Sequence, residues 1–387
     1  MLSFGACGGD RTPPNLGEAK LPGSVVPDSG TIELAALDTA AFTVTKVWES
    51  AEDVRLTYVL DLDVDHEGAV YVADPMERLV TVLSPAGERL RSIGRKGAGP
   101  GEFEGIGSIQ VGAGDTLFVF DNILRRLTAF RPQDDSVVYS RRVAEHGTGA
   151  PQRAFRVRSG QQIVATYMPP FRADQGDGQA GQRHLVVRVL SADGSVERDT
   201  LLTGVGNSNL FLRSGELISV GTNAFGRQPI VRLSATDHLF YVRTDSSVVT
   251  VVGLDGRATR RCAFRADPVK VTPDDLAREQ ALTSRRLKPV LADSMPAAWP
   301  TLRDIVVDDR DGVWFGVTGE GGRVDRWVLC DREGVFRGSL KLPPNVMLAA
   351  VRDSLLFGVA QDENQVPTIH LYRFERTSGT RASDARK

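Results

Sequence analysis

The sequence predicts an all-β chain made of six copies of one four-stranded antiparallel unit, and three observations carry that prediction. Short apolar runs that alternate in polarity and are cut by turn residues fill the chain from residue 42 to residue 374. One run recurs: residues 70–74 (VYVAD) have counterparts at 117–121 (LFVFD), 163–167 (IVATY), 239–243 (LFYVR), 313–317 (VWFGV) and 355–359 (LLFGV), whose last residues lie 47, 46, 76, 74 and 42 positions apart. A third-strand run follows each recurrence, in LVTVL, LTAF, LVVRVL, VVTVV, RWVLC and IHLYRF, and turns such as Asp193-Gly194, Asp255-Gly256 and Glu333-Gly334 then start a fourth strand. Three intervals match one four-stranded sheet at the roughly 40–50-residue period of ring-forming repeats. A single such sheet exposes two apolar faces and needs neighbours of its own kind. The fold class is therefore all-β, a six-bladed β-propeller with four-stranded antiparallel blades.

The first unit is the clearest. Residues 57–103 hold runs around 60–64, 70–73, 79–83 and 90–93, with hairpin turns at His66-Glu67-Gly68 and Pro85-Ala86-Gly87. Through Gly68-Ala69-Val70-Tyr71-Val72-Ala73-Asp74 and Gly99-Pro100-Gly101-Glu102-Phe103 it resembles an NHL repeat, a blade of the NHL-repeat and TolB-like six-bladed propellers, here of bacterial lipoprotein type.

The two long intervals carry about 30 extra residues each beyond one propeller period. In the first, these divide between residues 168–183 and a linker near 204–227, where 207–222 has room for one hairpin. In the second they form a helical insertion, 272–298, between blades 4 and 5. Thr272-Pro273-Asp274-Asp275 reads as a capping box with proline at the first helical position, and Leu276, Ala277, Gln280 and Leu287 follow before Pro289. The sixth unit runs out after three strands. Residues 42–48 (FTVTKVW) alternate correctly and are expected to complete that last blade, so an N-terminal strand closes the ring.

Residues 1–30 read as a lipoprotein-like N-terminus and flexible tether, 40–375 as the propeller, and 376–387 as a polar tail. Ser3-Phe4-Gly5-Ala6-Cys7 followed by Gly8-Gly9-Asp10 resembles the end of a bacterial lipoprotein signal, with only six residues before the cysteine. It implies lipidation at Cys7 and a lipid-anchored place on the cell envelope, periplasmic or extracellular; the alternative is a disordered tail with a chance cysteine.

A net charge of -2, from 47 Lys+Arg against 49 Asp+Glu, argues against a nucleic-acid partner. No apolar run reaches the roughly 18 residues of a membrane span, so membrane contact is expected through the anchor alone, and the protein as a monomer. Cys262 and Cys330 are expected as buried thiols, with pairing the alternative if their Cα atoms lie within about 7 Å.

In a propeller the second-to-third-strand loops and the links between blades emerge on one face. The segments 95–103, 168–183, 204–227 and 272–298 all belong to those two loop classes, so the functional surface is expected at that loop-rich mouth. Seven positions before each recurring run stand Asp63, Gln110, Arg156, Arg232, Val306 and Leu348. The four polar ones are expected to face the channel, with Arg156 and Arg232 suited to a carboxylate or phosphate. The alternative is a structural network in which Asp63 and the two arginines satisfy one another. Asp61, Asp63 and Asp65 alternate on one strand, yet aligned positions in other blades offer no further acids, so neither calcium nor another cofactor is expected. Asp74 and Asp121 are expected to bind turn backbone, and Arg278, Arg285, Arg286 and Lys288 to form a solvated helix face or a basic rim. His66, His146, His184, His238 and His370 show no paired spacing, and no catalytic sequence motif is present. The functional expectation is a non-enzymatic recognition or scaffold propeller for a peptide, glycan or small anionic ligand; the alternative is a hydrolase or lyase of the lactonase-like propeller class.

Overall fold

The computed structural model describes residues 28–33, 42–145, 149–168, 182–215, 217–362 and 364–377. Six antiparallel sheets form the ring. From inner to outer strand, blade 1 is Asp61–Val64, Val70–Asp74, Leu79–Leu83 and Arg89–Ile93, and blade 2 is Ile106–Val111, Leu117–Asp121, Arg126–Phe130 and Val137–Arg142. Blade 3 is Pro151–Arg156, Ile163–Tyr167, Gln182–Leu190 and Val196–Ser214, and blade 4 is Pro229–Leu233, Leu239–Arg243, Val248–Val252 and Ala258–Arg265. Blade 5 is Leu302–Val307, Val313–Thr318, Val324–Cys330 and Phe336–Leu340; blade 6 is Val346–Arg352, Leu355–Gln361 and Pro367–Arg376, with Phe42–Glu49 outermost.

The closing strand is the one the alternation of 42–48 predicts. It runs antiparallel to Pro367–Arg376, from Phe42 opposite Arg376 to Glu49 opposite His370. Phe42 then packs against Trp314 of blade 5 and Phe374 of blade 6, so the chain's early strand seals two blades together.

Alternation gives every blade two apolar faces, and the described core is accordingly six layers, one at each junction between neighbouring blades. Asp74 and Asp121 hold the loop-rich end together. One carboxylate oxygen of Asp74 accepts the Met76 and Glu77 N–H groups of its own turn, and the other accepts Thr57 and Tyr58 from the link entering the blade. Asp121 repeats this with Ile123, Leu124, Glu104 and Gly105.

Three segments differ from the sequence reading. Asp28–Glu33, partly inside the expected tether, adds a parallel fifth strand to blade 4, with Glu33 paired to Arg265 at 2.8 Å. In the linker 204–227 the one hairpin that the sequence has room for is present, but it is no separate unit: the 19-residue outer strand of blade 3 overshoots its sheet and folds back through Gly215, at φ 63°, into Leu217–Thr222. The insertion holds two helices. α1 (Pro273–Leu282) has the predicted capping box between Thr272 and Asp275, whereas α2 (Lys288–Asp293) starts where the sequence suggests an end, because Pro289 sits in its first turn, where a missing N–H costs nothing. Hairpin and insertion build a separate small core from Leu210, Phe225, Leu287, Val290, Leu291 and Trp299. Cys7 and most of 168–183 lie outside the described residues. Cys262 and Cys330 are free, buried thiols.

Candidate ligand site in the channel

Each inner strand pairs with its own second strand, which leaves its other edge with unpaired N–H and C=O groups facing the axis. Side chains from neighbouring blades fill that need. Asp63 accepts the Val111 N–H at 2.7 Å and its neighbour Val64 at 2.8 Å. Gln110 donates to the Arg156 carbonyl at 3.1 Å and accepts its N–H at 2.7 Å. Ser108 does the same for Ala154, and Arg352 of blade 6 reaches the Val64 carbonyl at 2.8 Å. Asp63 is enclosed by protein yet keeps some access to solvent through the channel. Burial pushes its carboxyl up to about 6, against the pull of the Val111 and Val64 N–H groups and of Arg158.

Of the four residues picked from the sequence, Asp63 and Gln110 bridge inner strands and Arg232 pairs with Asp304 of blade 5 at 3.0 Å. Arg156 is a correction. Its guanidinium donates to the Gln162 carbonyl at 3.1 Å and lies against the Tyr139 hydroxyl on the outer strand of blade 2, so it is wedged between blades. The network of Asp63 with both arginines is not the one formed, since each of the three has its own partners. Asp61 accepts Ile109 N–H and the Arg153 guanidinium, the latter at 2.5 Å, and Asp65 caps its own turn through Glu67 and Ala69. The three carboxylates of the 61–65 strand therefore serve separate partners, and among the described residues no three metal-ligating side chains converge.

Counting back a fixed number of residues missed the arginines that matter. The turn between Arg156 and Ile163 is one residue longer than those of blades 1, 2, 4 and 5, so the same offset lands on the other face of the blade 3 strand, and in blade 5 Arg303 is the extra residue of a register shift between Leu302 and Asp304. The offset lands on Val306 in blade 5, but the charged residues there are Arg303 and Asp304. Two adjacent charges in the run Leu302-Arg303-Asp304-Ile305 were the available signal.

Arg303 stands at the start of its inner strand, at the end of the ring where the blade-to-blade links emerge. Its guanidinium lies over the Trp299 ring at 5.6 Å and makes no hydrogen bond or ion pair among the described residues. Trp299 is fixed from behind: its indole N–H donates to Asp275 of α1 at 3.2 Å, and its ring packs on Phe225 in the small core. The insertion thus sets Trp299, and Trp299 sets Arg303. Burial holds the guanidinium below the ordinary arginine range, against the pull of Glu279 and Asp304. A half-buried cation without an ion-pair partner is an arrangement that an incoming anion would relieve. On the same end of the ring, Tyr58, Met76 and Ile123 expose 48 %, 64 % and 63 % of their surface at the blade 1 and blade 2 loops. A large cavity lies on the opposite face, at the first-to-second-strand turns of blades 4, 5 and 6.

No protein-family model matches the chain, and no curated protein matches it in sequence. Solved structures do match in shape. A Bacteroides fragilis protein described as exported has a TM-score of 0.52 at 10 % identity, covering 89 % of this chain and 99 % of its own. A Bacteroides vulgatus member of the DUF4221 family has a TM-score of 0.53 at 9 % identity, covering 87 % and 99 %. A virginiamycin B lyase from Staphylococcus aureus is more distant, with a TM-score of 0.43 at 10 % identity over 86 % and 99 %. At such identities the likeness concerns the fold.

Proposed function

We propose that this chain is a non-enzymatic recognition propeller that holds a small anionic ligand, or a carboxylate or phosphate group on a peptide or glycan, at the loop-rich mouth of its channel. The observation that carries the reading is Arg303, a guanidinium ordered by Trp299 that makes no hydrogen bond or ion pair among the described residues, with Glu279 and Asp304 acting on it only from a distance. Arg232 and Arg153 give the same channel further positive charge, partly spent on Asp304 and Asp61. Exposed Tyr58, Met76 and Ile123 supply apolar contact for whatever carries the anion. Binding is favoured over lactonase-like chemistry because the channel carboxylates Asp61, Asp63 and Asp304 are each committed to backbone N–H groups or arginine. A monomer exported to the cell envelope and anchored through Cys7 is part of this reading, supported by the lipoprotein-like residues 3–10 and by the exported Bacteroides neighbour.

The test is calorimetric titration of succinate, phosphate and neutral succinamide into the wild-type protein and Arg303→Gln. Wild type should bind an anion and not succinamide. Loss of a charge-assisted hydrogen bond should weaken anion binding by about 10- to 100-fold in Arg303→Gln. Equal affinities in the two proteins, or equal binding of succinamide, would remove the proposal.

A further inference from the structure

A cavity of about 1460 Å³ opens on the face away from Arg303 and is built from different residues. One wall is apolar. Leu329 and Phe374 are half-buried and face it, and Phe42 and Trp314 stand buried behind them, with Phe374 edge-on to both rings at 5.4 and 5.2 Å. The walls also carry six carboxylates against four guanidinium groups, so the field inside is negative.

Those guanidinium groups are largely committed. Arg310 pairs with Asp353 at 3.1 Å and Arg332 with Glu333 at 2.6 Å. Arg260 is stacked on Phe240 and donates from its two terminal nitrogens to the backbone carbonyls of Asp331 and Asp311, while its Nε is buried and has no partner among the described residues. Asp311 is left with an unmet need. It is 7 % exposed and sits in the blade 5 turn at φ 61°. One of its carboxylate oxygens accepts the Thr236 hydroxyl and stands 3.3 Å from His238 Nδ1. The other is buried and has no hydrogen-bond partner among the described residues. A carboxylate oxygen kept from water without a donor is a standing demand for one.

We propose that this cavity is a second binding site, for a protonated amine carried on an apolar body. The ammonium group donates to Asp311, and the apolar body lies along Leu329 and Phe374. The two ends of the propeller then select opposite charges, with an anion at Arg303 and a cation at Asp311.

The experiment uses 2-phenylethylamine, 2-phenylethanol and 3-phenylpropionate as probes on the whole chain, followed by NMR titration near neutral pH. The amine should bind at least about 10-fold more tightly than the alcohol, the scale of one charge-assisted contact, and the carboxylate should not bind. Asp311→Asn suits the left-handed backbone, which asparagine tolerates, and should bring the amine down to the alcohol's affinity. Phe374→Ala should weaken both. Arg303→Gln should change neither. In the wild-type protein the amine should shift the His238 imidazole and Gly312 amide signals, a readout that needs no variant to fold. Equal binding of amine and alcohol, no amine binding, unchanged affinity in a folded Asp311→Asn, or binding that leaves His238 and Gly312 unmoved would each overturn the proposal.

Discussion

Replacing Phe42 by alanine tests the closure of the ring. Phe42 begins the strand that completes blade 6, is 8 % exposed, and lies with its ring 6.1 Å from Trp314 and 5.4 Å from Phe374. Truncating a buried phenylalanine costs about 3–5 kcal/mol. At the end of an outer strand the neighbours can partly collapse into the space, which places the cost near about 3 kcal/mol. Unfolding entropy is about 2.1 cal/mol/K per residue, so for roughly 320 ordered residues each kcal/mol moves Tm by about 1.5 °C, and Phe42→Ala should melt about 4–5 °C below wild type. Thr45→Ala on the same strand, at an exposed position, should stay within about 0.5 kcal/mol of wild type. Thermal and urea unfolding of the three proteins measures this. If Phe42→Ala and Thr45→Ala were indistinguishable, residues 42–49 would not hold blades 5 and 6 together in the way described.

The remaining predictions concern other parts of the ring. The folded-state carboxyl of Asp63 is raised from 3.8 to about 6, so the native chain holds that proton longer than the unfolded one; the stabilisation is complete below about pH 4 and is lost as pH rises through about 6. Asp63→Asn should flatten that fall in urea unfolding measured from pH 4 to pH 7, and an unchanged slope would place the titration elsewhere. Gly194, at φ 87°, turns against the outer strand of blade 2, and a Cβ there would sit 1.9 Å from the Arg142 carbonyl oxygen. Gly194→Ala should therefore cost clearly more than Gly114→Ala, which has the same kind of backbone (φ 63°) and nothing within 4 Å, and should lose about 1 kcal/mol. Leu291→Ala, at a fully buried position in the small core, should cost about 2–4 kcal/mol there. Hydrogen exchange should rise in residues 207–222 and 272–298 while the blades keep their protection; uniform loss across all six blades would mean that this core is part of the main one.

The ring was legible because a propeller blade repeats its hydrophobic alternation, and the second strand, buried on both faces, repeats it most strongly. The runs at 70–74, 117–121, 163–167 and 239–243 coincide with strands at both ends. The closing strand was legible for a related reason, since a sixth sheet with three strands needs a fourth. Asp28–Glu33 was not legible, because DSGTIE has too few apolar residues to mark a strand and owes its conformation to the edge of blade 4. The hairpin 209–222 was legible as the one hairpin that 207–222 has room for, but not that its first arm continues the outer strand of blade 3. The channel was read least well. Asp63, Gln110 and Arg232 were placed near the axis, but the turn between Arg156 and Ile163 is one residue longer than those of blades 1, 2, 4 and 5 and shifts Arg156 to the face packed on blade 2, while a bulge between Leu302 and Asp304 brings Arg303 forward. Bulges follow from packing against neighbours, so a fixed offset along the chain cannot report them.

The most direct measurement of the functional account is the side-chain Nε–H signal of Arg303 in arginine-labelled protein during titration with succinate and phosphate. The account predicts that this signal shifts in a saturable way with one of the two anions, together with the indole N–H of Trp299, while the Arg156 signal stays still. Saturable binding that moves other arginines and leaves Arg303 and Trp299 in place, or no saturable shift with either anion, would contradict it.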